Sequence, residues 1–227
     1  MRGVTSITTL IVCFAVSSAP QMAQHPTGQI TGTVVDCDGR LLENIFVHAF
    51  RQESHMYMPT AITNKDGRFS IDELESGTYS LFGESDAGAY PDTSLSFYSE
   101  HEPTKVLQVE GGAADTTLVL GPRAGILSGT VTNSSTGKVV RPADGLRFIF
   151  TRTSDPGRSI EFHGPAKFHW LIPPDVGVTL EVLAEGYKPW TYSDPSDISG
   201  PLPLQFSSGE GETLNIELDP AVSEAEP

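Results

Sequence analysis

Hydrophobic and polar residues alternate with a period of two in short segments along the whole chain. Residues 30–34 and 127–131 show this alternation clearly, and the second segment lies about one hundred residues after the first. A period of two places every second side chain on the same face of an extended backbone. Each such segment is therefore predicted to be a β-strand with one buried face.

The predicted strands recur in the same order in the two halves of the chain. In each half the opening strand leads through a polar turn to an apolar strand, and two further strands and a closing pair follow at nearly constant spacing. In the first half these segments are 36–40, 45–50, 67–71, 77–81, 105–109 and 116–120, and in the second they are 133–137, 146–150, 166–170, 177–181, 202–206 and 213–218. This order indicates an internal duplication.

About seven short strands per half, separated by turns rich in Gly, Pro and Asp, predict antiparallel β-sandwiches. We therefore expect an all-β chain of two tandem modules, at 28–121 and 122–220, with almost no helix. The connecting segment 121–125 is too short to act as a flexible linker, which restricts the relative orientation of the modules.

The first residues have the layout of a secretory signal peptide. Arg2 precedes an apolar run at 10–16, and small residues follow. The run is too short to span a bilayer. We predict a signal peptide at 1–23, cut after Ala23 because Pro20 disfavours cleavage after Ala19; an N-terminal strand or uncleaved anchor is the alternative. Residues 221–227 are predicted to be a disordered acidic tail.

Composition limits the partners of the chain. The 227 residues carry a formal net charge of −15, which argues against binding to nucleic acid or to anionic membranes. Cleavage of the signal peptide leaves Cys37 as the remaining cysteine, so no intramolecular disulfide is expected. A buried thiol is the favoured role of Cys37, and an intermolecular disulfide is the alternative.

Residues 63–71, followed by Leu74 and by 76–81, resemble the signature of carboxypeptidase regulatory-like domains. These domains are also described as transthyretin-like or prealbumin-like and have a carbohydrate-binding-like fold. In this pattern residues 64–67 are predicted to close a hairpin, and Phe69 and Ile71 to point into the core. The opening strands of both halves fit the same pattern. The resemblance extends over 28–220 and is weaker in the second half.

The resemblance implies a module without catalytic residues, found beside other domains or in tandem in exported proteins. We therefore expect neither an enzyme nor a cofactor. No histidine starts the His-x-x-Glu pair that zinc carboxypeptidases need. His163 and His169 are better explained as strand positions than as metal ligands. The aspartates considered as calcium ligands lie in separate turns without a loop consensus, so no metal is predicted: Asp36, Asp38, Asp66 and Asp72.

Aromatic side chains in two equivalent connections are the candidate ligand-binding residues. Such side chains could stack on sugar rings, or they could fold back to cover the open ends of the sandwiches. They are Tyr90, Phe97 and Tyr98 in the first module and Tyr187, Trp190 and Tyr192 in the second.

Two hypotheses follow for function. The first is an exported, secreted or periplasmic, non-catalytic binding or accessory protein that contacts a glycan or an exported protein through loop aromatics or edge strands. The second is a structural spacer or accessory subunit of another exported protein, without a ligand of its own.

Overall fold

The computed structural model of the protein describes residues 27–53, 56–95, 97–98, 105–193 and 200–221. The predicted signal peptide, 1–23, and residues 222–227 of the predicted tail lie outside the described residues. Within the described part, the first module contains seven strands. They are β1 (Gly28–Val35), β2 (Phe46–Arg51), β3 (Met56–Ile62), β4 (Arg68–Leu74), β5 (Gly77–Glu84), β6 (Lys105–Val109) and β7 (Ala113–Val119).

These seven strands form two sheets that enclose one core. One sheet has the order β4-β1-β7, and the other has the order β3-β2-β5-β6. Strand β1 alternates between buried and half-buried residues along its whole length, because every second side chain points between the sheets. Neighbouring strands are antiparallel except β1 and β7, which run parallel. A parallel pair requires a long connection, and here the rest of the module supplies it.

The second module repeats this arrangement. Its strands are β8 (Gly125–Asn133), β9 (Arg147–Arg152), β10 (Ser159–His163), β11 (Lys167–Ile172), β12 (Val178–Leu183), β13 (Trp190–Thr191), β14 (Gly211–Thr213) and β15 (Ile216–Leu218). One sheet has the order β11-β8-β14, with β15 pairing further along β8, and the other has the order β10-β9-β12-β13. Strand β8 pairs in parallel with β14 and β15. The prediction of two tandem β-sandwiches is confirmed.

Helix is nearly absent from the described residues. One turn of 3₁₀ helix, Pro142–Asp144, is the helical element found there. No helix in this part of the chain is long and apolar enough to cross a membrane.

Each module has its own hydrophobic core. The first core contains Tyr79 and Leu81 of β5, both fully buried, and the second contains Phe148 and Phe150 of β9, also fully buried. Burying a large apolar side chain contributes about 1.5–3 kcal/mol each. One core residue crosses the predicted module boundary, because Phe97 of the first module belongs to the second core.

The same glycine–phenylalanine contact occurs in both modules. Gly32 of β1 lies opposite Phe69, and Gly129 of β8 lies opposite Phe168. A Cβ atom at Gly32 would stand 3.0 Å from the Phe69 ring, and one at Gly129 would stand 2.7 Å from the Phe168 ring. In each module, therefore, the glycine leaves room for an aromatic ring of the neighbouring strand.

The turn at 64–67 differs from its predicted role. Asn64 Oδ1 accepts hydrogen bonds from the backbone N–H groups of Asp66 and Arg68, and Gly67 has a φ of 66°, as such a turn requires. Phe69 and Ile71 are buried as expected. The turn does not close a hairpin, however, because β3 and β4 belong to different sheets. It carries the chain from one layer of the sandwich to the other.

The favoured interpretation of Cys37 as a buried thiol is wrong, since Cys37 is exposed. It lies in the turn after β1, where Asp36 Oδ1 accepts hydrogen bonds from the backbone N–H groups of Asp38 and Arg40. These bonds shape the turn through its backbone and leave the Cys37 side chain on the outside. They also engage Asp36 within the turn, and its pKa is lowered chiefly by the hydrogen bond from Arg40.

Candidate functional site at the module junction

The connection after β5 begins with a compact turn that contacts the link between the modules. Ser85 and Tyr90 exchange two backbone hydrogen bonds of 2.8 Å each, which closes the turn. Arg123 Nε donates to the carbonyl of Gly88 at 3.0 Å, and the backbone N–H of Ala124 donates to the carbonyl of Ala89 at 2.8 Å. The turn therefore holds the start of the second module against the first.

Further along the same connection, the chain enters the second module. The Phe97 side chain is 1% exposed and packs within the second core. The buried Arg152 donates from Nε to the carbonyl of Phe97 at 2.8 Å. The Tyr98 hydroxyl donates to the carbonyl of Leu171 at 3.1 Å. We call residues 86–95 and 97–98 the junction loop.

Two recesses flank the junction loop, and Tyr90, Pro91 and Tyr98 line both. The first, which we call the proline recess, has a volume of about 360 Å³ and extends to Pro173 and Pro174 of the second module. The second, which we call the acidic recess, has a volume of about 410 Å³. Its other lining residues come from both modules and are Glu84, Asp86, Asp92, Leu95, Phe162, His169, Trp170 and Leu171.

Carboxylates give the acidic recess a negative field. Burial raises the pKa of the Tyr98 hydroxyl, and the nearby charges of Asp92 and Asp86 raise it further. His169 Nε2 lies 3.8 Å from Asp86 Oδ1, so this contact also joins the two modules. The raised pKa keeps the Tyr98 hydroxyl protonated at pH values above 10, where an exposed tyrosine ionises.

The second module supplies a stacked aromatic pair to the acidic recess. The rings of Phe162 and Trp170 lie 4.4 Å apart, with an angle of 7° between their planes. The two residues belong to β10 and β11, which lie in different sheets, so the stack closes that edge of the sandwich. The indole Nε1 of Trp170 is buried and has no hydrogen-bond partner among the described residues.

The other three predicted aromatic residues lie on the second module. Tyr187, Trp190 and Tyr192 are half-buried and pack against the second core. Trp190 lies in β13 and pairs with Val182 of β12. The Tyr187 hydroxyl accepts a hydrogen bond from Asn133 Nδ2 at 3.3 Å. This connection folds back on its own module.

The six predicted aromatic residues therefore do not form one site. Tyr90 and Tyr98 line the junction recesses, whereas Phe97 is enclosed and presents no ring face to a ligand in this structure. A ligand-binding role for these six residues stays a prediction. Sequence reasoning did not select the stacked pair Phe162 and Trp170, because no local pattern shows that strands of two different sheets bring these rings together.

Metal-ligating side chains do not converge among the described residues. No group of three or more His, Cys, Asp or Glu residues there could hold a metal ion. His163 and His169 each lie beside a carboxylate: His163 Nε2 is 2.9 Å from Glu161, and His169 contacts Asp86 as described above.

Comparison with solved structures finds 70 matching chains. The Bacillus anthracis TIE protein is 12% identical, with 86% of this chain and 34% of that chain covered and a TM-score of 0.34. A streptococcal ancillary pilin is 14% identical, with 88% and 64% covered and a TM-score of 0.37. A DUF3823 family protein from Parabacteroides merdae is 15% identical, with 75% and 97% covered and a TM-score of 0.33.

The chain thus spans about a third of the TIE protein and 64% of the ancillary pilin. Similarity at this level does not carry the function of those proteins to this chain. No curated protein matches the sequence.

A family model matches the first module. It is the carboxypeptidase regulatory-like domain, and it covers residues 29–96, from β1 into the junction loop. The match includes the turn at 64–67 and the buried Phe69 and Ile71, which carried the resemblance in the sequence. The first module of this chain is therefore similar to a carboxypeptidase regulatory-like domain over residues 29–96.

Proposed function

We propose that this chain is an exported, non-catalytic accessory protein that binds a glycan or an exported protein partner at the junction of its two modules. The observation that carries this proposal is the acidic recess, which is lined from both modules. It combines apolar walls with three carboxylates, those of Glu84, Asp86 and Asp92, which can accept hydrogen bonds. Concave surfaces with apolar walls and a few polar groups are the usual binding sites of proteins.

The test is a glycan array together with pull-down from the exported fraction, using the full chain after signal cleavage. A ligand bound at the junction should lose at least about tenfold in affinity when Tyr98 is changed to Ala, which corresponds to about 1.4 kcal/mol. Trp190→Ala tests the aromatic connection of the second module in the same assay. Val139→Ala is the control, because Val139 is 56% exposed and lines neither recess.

The result decides which connection binds. A loss of ligand affinity with Tyr98→Ala and not with Trp190→Ala would support the junction site. The reverse result would place the site in the aromatic connection of the second module. If no ligand responds to either change, the binding proposal fails.

The second candidate function is a structural spacer or accessory subunit of another exported protein. It is favoured by the hydrogen bonds of Arg123, Ala124, Arg152 and Tyr98, which fasten the modules to each other. If the chain is a spacer, substitutions in the recess should leave its association with the other exported protein unchanged. A specific ligand with micromolar affinity would exclude the spacer as the whole function.

A further inference from the structure

The two modules place an arginine at equivalent positions of their strands. Arg51 ends β2 and lies opposite Tyr79 of β5. Arg152 ends β9 and lies opposite Val178 of β12. The arginines thus mark the same end of each sandwich, and the residues opposite them differ greatly in size.

The first module closes this end with its own residues. Tyr79 is fully buried, and its hydroxyl donates to the carbonyl of Glu75 at 2.8 Å. Arg51 forms an ion pair with the Glu75 carboxylate and donates to the carbonyl of Ser76 at 2.8 Å. A large aromatic side chain and an arginine with local partners therefore complete the first core.

The second module has the small Val178 in place of the tyrosine, and an aromatic side chain from outside the module is inserted. Phe97 of the junction loop is 1% exposed within the second core, and its carbonyl accepts the hydrogen bond from Arg152 Nε. Arg152 is itself 2% exposed, and its hydrogen bond to Phe97 ties it to the junction loop. Tyr98 adds the bond to Leu171 of β11.

We infer that Phe97, a residue of the first module, completes the hydrophobic core of the second module. The second module therefore depends on the junction loop for its stability. This goes beyond the proposed function, because it holds whether or not the recesses bind a partner. It also means that the functional boundary of the second module includes the junction loop, although residues 86–95 of that loop lie within the family match to the first module, which ends just before Phe97.

The test uses a probe that is specific to one module. Both tryptophans of the chain, Trp170 and Trp190, lie in the second module, so tryptophan fluorescence reports its unfolding. In the full chain, Phe97→Ala should raise the unfolding equilibrium constant seen by fluorescence about a hundredfold or more, as removal of a buried phenylalanine ring does. Leu95→Ala in the same loop is the matched control, because Leu95 is 42% exposed, and it should cause little change.

Two further measurements keep the inference falsifiable if Phe97→Ala does not fold. Phe97→Leu removes less volume and should give a smaller shift in the same direction. Hydrogen exchange of that variant should show protection lost in β9 and β12 before β4 and β5. A tryptophan transition that matches the unmodified chain, or a loss of protection confined to β4 and β5, would overturn the inference.

Discussion

The connections after β5 and after β12 occupy equivalent positions in the two modules, and both are rich in aromatic residues. They nevertheless pack against different modules. The first reaches forward and buries Phe97 in the next module. The second turns back, because Trp190 pairs with Val182 and the backbone N–H of Tyr192 donates to the carbonyl of Leu180 at 3.0 Å. The first connection lies against a following module, whereas the second covers its own sheet.

This difference shows that an aromatic loop on a sandwich can serve packing in two ways. A loop that covers its own sheet stabilises one module, while a loop that enters its neighbour couples two modules. The two recesses beside the junction loop are lined by residues of both modules, with Tyr90, Pro91 and Tyr98 common to both. The same insertion therefore accounts for both the attachment of the modules and the candidate site.

The largest expected effect concerns a feature that the modules share. Gly32→Ala would place Cβ 2.2 Å from the carbonyl oxygen of Thr116, and Gly129→Ala would place it 1.9 Å from that of Leu214. Because backbone must move to relieve either clash, each change should cost about 3 kcal/mol of unfolding free energy. Denaturant unfolding measures this cost. Gly112→Ala is the control, since a Cβ at Gly112 meets nothing within 4 Å.

Equal losses at the two glycines would support the structural equivalence of β1 and β8. A loss at Gly32 without one at Gly129 would show that the second module tolerates movement of its parallel strands, and the equivalence would then fail at this position.

The next largest effect should differ between the two modules. Arg152→Met leaves the buried carbonyl of Phe97 without its charged donor, which should cost about 2–3 kcal/mol. Arg51→Met removes contacts to Glu75 and Ser76 from a side chain that is 20% exposed, and solvent screening should keep this cost near 1 kcal/mol. Thermal unfolding of the two variants gives the comparison. Equal costs would contradict the view that the arginines have different environments.

Strand alternation was sufficient to predict most of the fold. The alternating burial of β1 follows directly from its sequence, and so does the equivalence of Gly32 and Gly129. The assignment of β3 and β4 to different sheets was not predicted, because the turn at 64–67 has the same local chemistry whether it joins strands of one sheet or of two.

The candidate site was predicted only in part, for a physical reason. Tyr90 and Tyr98 could be selected because they are aromatic residues in a loop. The destination of Phe97 depends on the space available in the second core, whose other residues lie far away in the sequence. No local pattern near Phe97 records that space. The pairing of Phe162 with Trp170 likewise depends on how two sheets meet.

The smallest expected effect is a change in how the unfolding free energy depends on pH, and it concerns Tyr98 of the junction loop. Burial and the charges of Asp92 and Asp86 raise the pKa of Tyr98 above its usual value of 10.0. The folded state therefore holds this proton more tightly than the unfolded state does. The resulting stability is complete below about pH 10 and falls by about 1.4 kcal/mol per pH unit above it, until the folded pKa is reached.

Tyr98→Phe removes this titration together with the hydrogen bond to Leu171, and its loss of stability at pH 7 should be about 1 kcal/mol. Between pH 10 and 11 the variant should lose less stability than the unmodified chain, because phenylalanine has no proton to release. Denaturant unfolding followed by tryptophan fluorescence at pH 7, 10 and 11 measures both quantities. If the two proteins lose stability equally above pH 10, the pKa of Tyr98 is not raised in the folded state. The junction loop is then not packed against the second module in solution as it is in this structure.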